Sequence, residues 1–220
     1  QPIAVPSQDM ILGSYYLTKL KDGDIGEGKI FGSIEEVLLA YENRVVGLHS
    51  KIILKHNDAW IKDTTIGRAI FNSILPNEMD YVNDLIDKKR LTSIVNQCYL
   101  IVGNFKTVIF LDNLKDLGFN MATQSGLSIS VSDVLIPQEK DNILSTAFEK
   151  VEDIKRKYDR HVLTEGERYN KVIDVWTHTT NHIAQVMEDE LRVDNKGFNA
   201  LSMMTDSGAR GSKDQIKQLA

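Results

Sequence analysis

The sequence predicts an α+β chain: mixed helices and short strands, followed by a projecting antiparallel helical hairpin. Three observations predict it. Runs rich in Ile, Leu and Val at 48–55 and 129–137 are bounded by turn residues and read as short strands. Between them, apolar residues recur at helical spacing behind capping signals. From Asp141 to Leu191 there is no proline, and glycine occurs once, as Gly166 near the presumed turn.

Residues 1–6, QPIAVP, read as an extended lead-in because two prolines restrict it. Ser7 suits an N-cap, and Met10, Ile11, Ser14, Tyr15 and Thr18 form the stripe of a first helix. KDGDIGEGK is a glycine-rich loop, with GEGK read as a hairpin loop before a strand. Ser33 and Glu36 form a capping box that opens a helix with Ile34, Val37, Leu38 and Tyr41 on one face. After the strand at 48–55, a turn at 56–59 leads into WIKDTTIGRAIFNSILP, also expected to be strand. Residues 84–103 read as helix in two pieces, TVIFLD as a short apolar run, 114–123 as helix and 129–137 as strand.

The last third is simpler. Ile143, Leu144, Ala147, Phe148, Val151, Ile154 and Tyr158 make one stripe. Tyr169, Val172, Ile173, Trp176, Thr180, Ile183, Ala184, Met187 and Leu191 make another, opened by the capping box of Thr164 and Glu167. Two such helices across a short turn at 159–165 bury their stripes on each other. The outer face carries Lys155, Arg156, Lys157 and Arg160. The chain therefore divides at 1–140, 141–196 and 197–220.

Composition narrows the function. With 42% hydrophobic residues the chain can bury a core, and its net charge of −5 excludes a binder that works by bulk phosphate neutralisation. One cysteine, Cys98, excludes a disulfide scaffold and multi-cysteine metal sites; it fits a reducing compartment and reads as a buried small hydrophobe. No apolar run is expected to reach the roughly 20 residues of a membrane span. The first residue is not Met and the last lies inside a helical pattern, so the chain is expected to be cut from a longer polypeptide.

Motifs with chemistry are few. His178 and His182 have metal-clamp spacing but lack the intervening glutamate of H-E-x-x-H, and read as surface polar residues. Asp22 and Asp24 lie in a loop without further ligands. GARGSK at 208–213 admits two readings: an anion-binding nest with Arg210 as clamp, or a glycine turn in which Ser212 or Asp214 caps a helix. It lacks Walker spacing.

Five stretches in order, PIAVPSQDMILGSYYLT (2–18), KDTTIGRAIFNSILP (62–76), TVIFLDNLKDLGF (107–119), TEGERYNKVIDVW (164–176) and MMTDSGARGSKDQIKQLA (203–220), resemble the largest-subunit family of multisubunit RNA polymerases in its bacterial β′ form. The resemblance implies a place after the family's magnesium motif N-A-D-F-D-G-D, which is absent here, and before its bridge helix and trigger loop. It implies that 1–140 is the pore wall of the secondary channel, 141–196 the funnel helices and 197–220 the return toward the active centre. It further implies that Arg210 approaches the NTP triphosphate, that Gln8 and Asp9 lie near the RNA 3′ end, and that Lys155, Arg156, Lys157 and Arg160 face docking factors. Asp112, Asn170 and Lys171 match a regulator-binding locality, although Asp116 stands where relatives with a regulatory nucleotide carry an aromatic. The implied cofactor is Mg2+, held outside this segment; the implied partners are the β, α and ω subunits, the rest of β′, NTPs, DNA, RNA and channel-binding factors, in the cytoplasm and without membrane.

Overall fold

A computed structural model describes residues 5–218. Residues 1–4 of the lead-in and the last two residues of the DQIKQLA pattern therefore lie outside the described residues. The chain forms two units, Gln1–Ser128 with Met203–Arg210, and Ile129–Ser202 with Gly211–Ala220.

The first unit contains α1 (Asp9–Thr18), β1 (Ile30–Phe31), α2 (Ile34–Glu42), β2 (Lys51–His56), β3 (Ala59–Thr65), α3 (Ile66–Ser73) and α4 (Lys88–Ser125). Helix α1 is buried on most of its circumference, through Ile11, Leu12, Gly13, Ser14, Tyr15, Leu17 and Thr18. Its two buried hydroxyls are satisfied locally: Ser14 donates to the Met10 carbonyl and Thr18 to that of Ser14, both at 2.8 Å. Ser7 does not cap it. Gln8 occupies the cap at φ 45°, and the carbonyls of Ser7 and Gln8 accept the first amides. Ser33 does cap α2, accepting from the Glu36 amide at 3.3 Å.

The sheet runs β1-β2-β3, with β1 parallel to β2 and β2 antiparallel to β3. Strands β2 and β3 turn through Asn57 and Asp58, both at positive φ (47° and 61°), as a tight two-residue hairpin requires. The GEGK segment is not a hairpin loop: the strand it feeds pairs in parallel.

Two strand expectations fail for stated reasons. The run 60–76 is strand only to Thr65. The Thr65 hydroxyl then accepts from the Arg68 amide at 3.1 Å, and Ile66, Ala69 and Ile70 turn the same apolar residues into the face of a helix. Residues 129–137 alternate, but the sheet among the described residues has three strands, all in the first unit. They instead make a 3-10 turn at Val131–Asp133, closed by Asp133 on the Ser130 amide at 2.7 Å.

Helix α4 absorbs the two expected helices and TVIFLD. It breaks at Gly103, whose φ of 75° and ψ of −178° leave the helical region. Beyond the break, Thr107, Phe110, Leu114, Gly118 and Met121 are buried at spacings of three and four. Contrary to expectation, α4 is long and apolar enough to cross a membrane by length and composition. Its inner face, however, packs with Ile11, Leu54, Phe71 and Ile86 in the main core, which also takes Cys98. The rest of its apolar stretch is exposed, with 28% of it buried.

The second unit contains α5 (Lys140–Asp159), α6 (Glu165–Val193), α8 (Lys213–Lys217) and the start of α7 (Ala200–Asp206). The hairpin forms as expected. Its base is a small core of Met187, Leu191, Leu201 and Ile216, with Val134 and Leu135 against it. The Asn199 side chain begins α7, accepting from the amides of Leu201 at 2.9 Å and Ser202 at 3.2 Å.

Helix α1 is held by backbone contact. A Cβ at Gly13 would lie 1.9 Å from the Gly118 carbonyl oxygen on α4, and one at Gly67 would lie 1.8 Å from the Leu17 carbonyl oxygen. Gly13→Ala should therefore lower stability by about 1–3 kcal/mol through overpacking, read as a lower denaturation midpoint at an unchanged slope.

Candidate functional site

Arg210 sits on a tight reversal after α7. The Lys88 amide, at the start of α4, donates to the Ser207 carbonyl at 2.9 Å, and the Arg210 amide returns to Met204 at 3.3 Å. Gly208 supports the reversal at φ 71°, and its Cβ position would already meet the Lys88 side chain at 3.3 Å. Downstream, Ser212 caps α8 by accepting from the Gln215 amide at 3.3 Å, while the Ser212 amide donates to the Gln215 side chain at 2.9 Å. The glycine-turn reading of GARGSK therefore describes its backbone.

The Arg210 side chain is half-exposed and reaches Asp9. Its Nη2 donates to the Asp9 carboxylate at 3.4 Å, across 201 residues of sequence. Asp9 is the first residue of α1, so the Gly13–Gly118 contact places it. Gln8, one residue earlier, is exposed. Two sequence-predicted residues, Asp9 and Arg210, thus meet on the first unit.

On the hairpin, Phe148 of α5 meets Trp176 of α6 edge to face, with ring centroids 5.2 Å apart. The Thr164 hydroxyl accepts from the Glu167 amide at 3.3 Å while Glu167 accepts from the Thr164 amide at 2.8 Å, so the capping box is formed. Between the helices lies a crevice of about 760 Å³ lined by Lys150, Asp153, Arg156, Lys157, Lys171 and Asp174, among others. Asp153 bonds Lys157 at 2.6 Å and lies 3.7 Å from Arg156. The Lys157 hydrogen bond holds the Asp153 carboxyl below its usual range. Lys155 and Asn170 are exposed on the same helices, and Arg160 is exposed at the C-cap of α5.

Two family models match the chain: RNA polymerase Rpb1 domain 3 over residues 1–134 and domain 4 over residues 163–220. The chain belongs to the Rpb1 family of RNA polymerase largest subunits. It is 46% identical to the DNA-directed RNA polymerase subunit beta' of Salinibacter ruber over 99% of its length, which is 15% of that protein. It is 44% identical to the subunit of Desulforamulus reducens over its whole length, 18% of that protein, and 43% identical to that of Bacteroides fragilis strain YCH46, 16% of that protein. The chain thus spans less than a fifth of these relatives.

Within this Rpb1-family segment the remaining candidates belong to different units. Asp112, on α4 of the first unit, lies 3.4 Å from Lys115, which also lies 3.6 Å from Asp116. Asn170 and Lys171 belong to the second unit. His178 and His182 are exposed on α6, and among the described residues no group of three or more His, Cys, Asp or Glu side chains could hold a metal. Asp24 is structural: it accepts from the His49 amide at 3.3 Å.

Sequence reading missed Asp174 in the crevice, although its spacing of three from Lys171 on one helix was a signal. It also missed an apolar band on the outer face of α4. Leu100 and Phe105 there are 80% and 79% exposed, and Tyr99, Ile101, Val108 and Ile109 are exposed around the Gly103 break.

The hairpin should be acid-sensitive. Glu167 is held below its ordinary 4.5 by its hydrogen bonds to Thr164, and Asp153 below its ordinary 3.8 by Lys157. Carboxyls depressed in the folded state stabilise it above their unfolded values and lose that contribution as pH falls through the folded ones. Helical ellipticity should hold to about pH 5 and then decline, and Glu167→Gln should flatten part of that decline. Thr164→Ala should cost about 1 kcal/mol at neutral pH, measured by denaturant titration.

Proposed function

We propose that this chain is the pore and funnel wall of the secondary channel in a bacterial DNA-directed RNA polymerase, with Arg210 meeting the triphosphate of the incoming NTP. The observation that carries the reading is the match to β′ subunits along the whole chain. In the complete enzyme the RNA 3′ hydroxyl attacks the NTP α-phosphorus and pyrophosphate leaves. Such transfer depends on positioning and charge stabilisation, which an arginine fork supplies to phosphate oxygens.

Gln8 and Asp9 belong near the RNA 3′ end in this reading. Residues 1–140 form the pore wall, 141–196 the funnel and 197–220 the return toward the active centre. The described residues do not fit the catalytic Mg2+, since no carboxylate trio converges among them. Its ligands belong to the rest of β′, and the 220 residues alone should not polymerise. The partners are that remainder, the β, α and ω subunits, and DNA and RNA in the cytoplasmic enzyme. The exposed band on α4 supports burial against such neighbours.

Arg210→Ala in the full polymerase should lower kcat/KM for NTPs about ten- to a hundredfold, the equivalent of roughly 1.5–3 kcal/mol from one charge-assisted contact. An unchanged rate of single-nucleotide addition at limiting NTP would remove Arg210 from the site.

A second reading has its own observation, the charged crevice and rim of the hairpin. There Lys155, Arg156, Lys157 and Arg160 dock a channel-binding protein factor, with Asn170 and Lys171 as candidate regulator contacts; Asp112 is a further candidate on the first unit. Reversing Arg156 and Lys157 to Glu should abolish the response to such a factor while leaving factor-free elongation intact. Loss of elongation itself would place the face in the catalytic channel instead.

A further inference from the structure

We infer that Asp9 is the resident counter-ion of Arg210, holding the guanidinium when no triphosphate is bound and surrendering it when one arrives. The inference rests on the reading of Arg210 as a triphosphate contact. Three observations carry it beyond that reading.

First, the pair is the direct side-chain contact that the structure gives Arg210, and it joins residues 201 apart in sequence. Second, both ends stand on backbone that other contacts place. Asp9 begins a helix locked by Gly13 against Gly118, and the Arg210 reversal is tied to α4 by the Lys88–Ser207 hydrogen bond. The two side chains therefore meet on one scaffold built around α4, with few soft torsions besides their own. Third, the pair is built to break. It is long at 3.4 Å, engages a single guanidinium nitrogen, and leaves the Arg210 and Asp9 side chains 54% and 49% exposed. Exposed pairs of this kind are weak. A polyanion with several phosphate oxygens outbids one carboxylate for an arginine that has five N–H donors.

The carboxylate does two things. It keeps the arginine extended from its loop in one direction. It also competes with an arriving anion for the guanidinium, so the triphosphate must displace it. Asp9 therefore moderates nucleotide affinity through Arg210.

The experiment is a double-mutant cycle in the polymerase carrying the full-length subunit, read as single-nucleotide addition across NTP concentrations. Asp9→Asn should lower KM about two- to fivefold, the range that an exposed ion pair spans. Asp9→Glu should restore the original KM. In an Arg210→Ala background, Asp9→Asn should have no effect on KM. An unchanged or raised KM for Asp9→Asn, alongside a defective Arg210→Ala enzyme, overturns the counter-ion role and leaves the triphosphate reading intact. The same KM decrease persisting in the Arg210→Ala background also overturns it, because Asp9 would then act on another group. An unaffected Arg210→Ala enzyme overturns the reading on which the inference stands.

Discussion

The first unit depends on how closely α1 is allowed to approach its neighbours. Gly13 rests on the Gly118 backbone of α4, and Gly67 of α3 rests on the Leu17 carbonyl of α1. At both places a methyl group would overlap a backbone oxygen, so the helices approach to a distance that only glycine permits. The end of α1 is then fastened by polar groups. The Arg68 Nε donates to the Thr18 carbonyl at 3.1 Å, and the Thr18 hydroxyl accepts from the Ile86 amide at 3.0 Å. A helix gripped on two sides and at its end makes a fixed base for its first residue, Asp9.

The same helix, α4, serves both ends of the candidate site. Its first amide fixes the loop that carries Arg210, and its second half fixes α1. The break at Gly103 lies between these two jobs. It lets one long apolar segment present a buried stripe along both halves while turning Leu100 and Phe105 outward. A contact supported in this way owes its geometry to packing some distance from the charges themselves.

The hairpin is organised by different physics. Its stability is local: a capping box, an aromatic pair and short-range ion pairs along each helix. Its buried core is confined to the base, and most of its length is polar and exposed. Such an element offers a rim of fixed shape with exchangeable charge. That suits contact with a partner better than chemistry, which asks for converging groups removed from water.

What the sequence by itself determined is local. The hairpin, the caps at Ser33 and Thr164, the turn at 56–59 and the burial of Cys98 are written in residues a few positions apart, because helix periodicity and capping act within one or two turns. The resemblance to a polymerase family likewise lay in short contiguous motifs. What only the tertiary structure decided is non-local. The Ile-rich run after Thr65 could extend or coil until its face found α1, and the alternating run at 129–137 pairs with no strand among the described residues. The meeting of Asp9 with Arg210 belongs to this second class. No periodicity spans 201 residues; two glycines and one backbone hydrogen bond on a shared helix do.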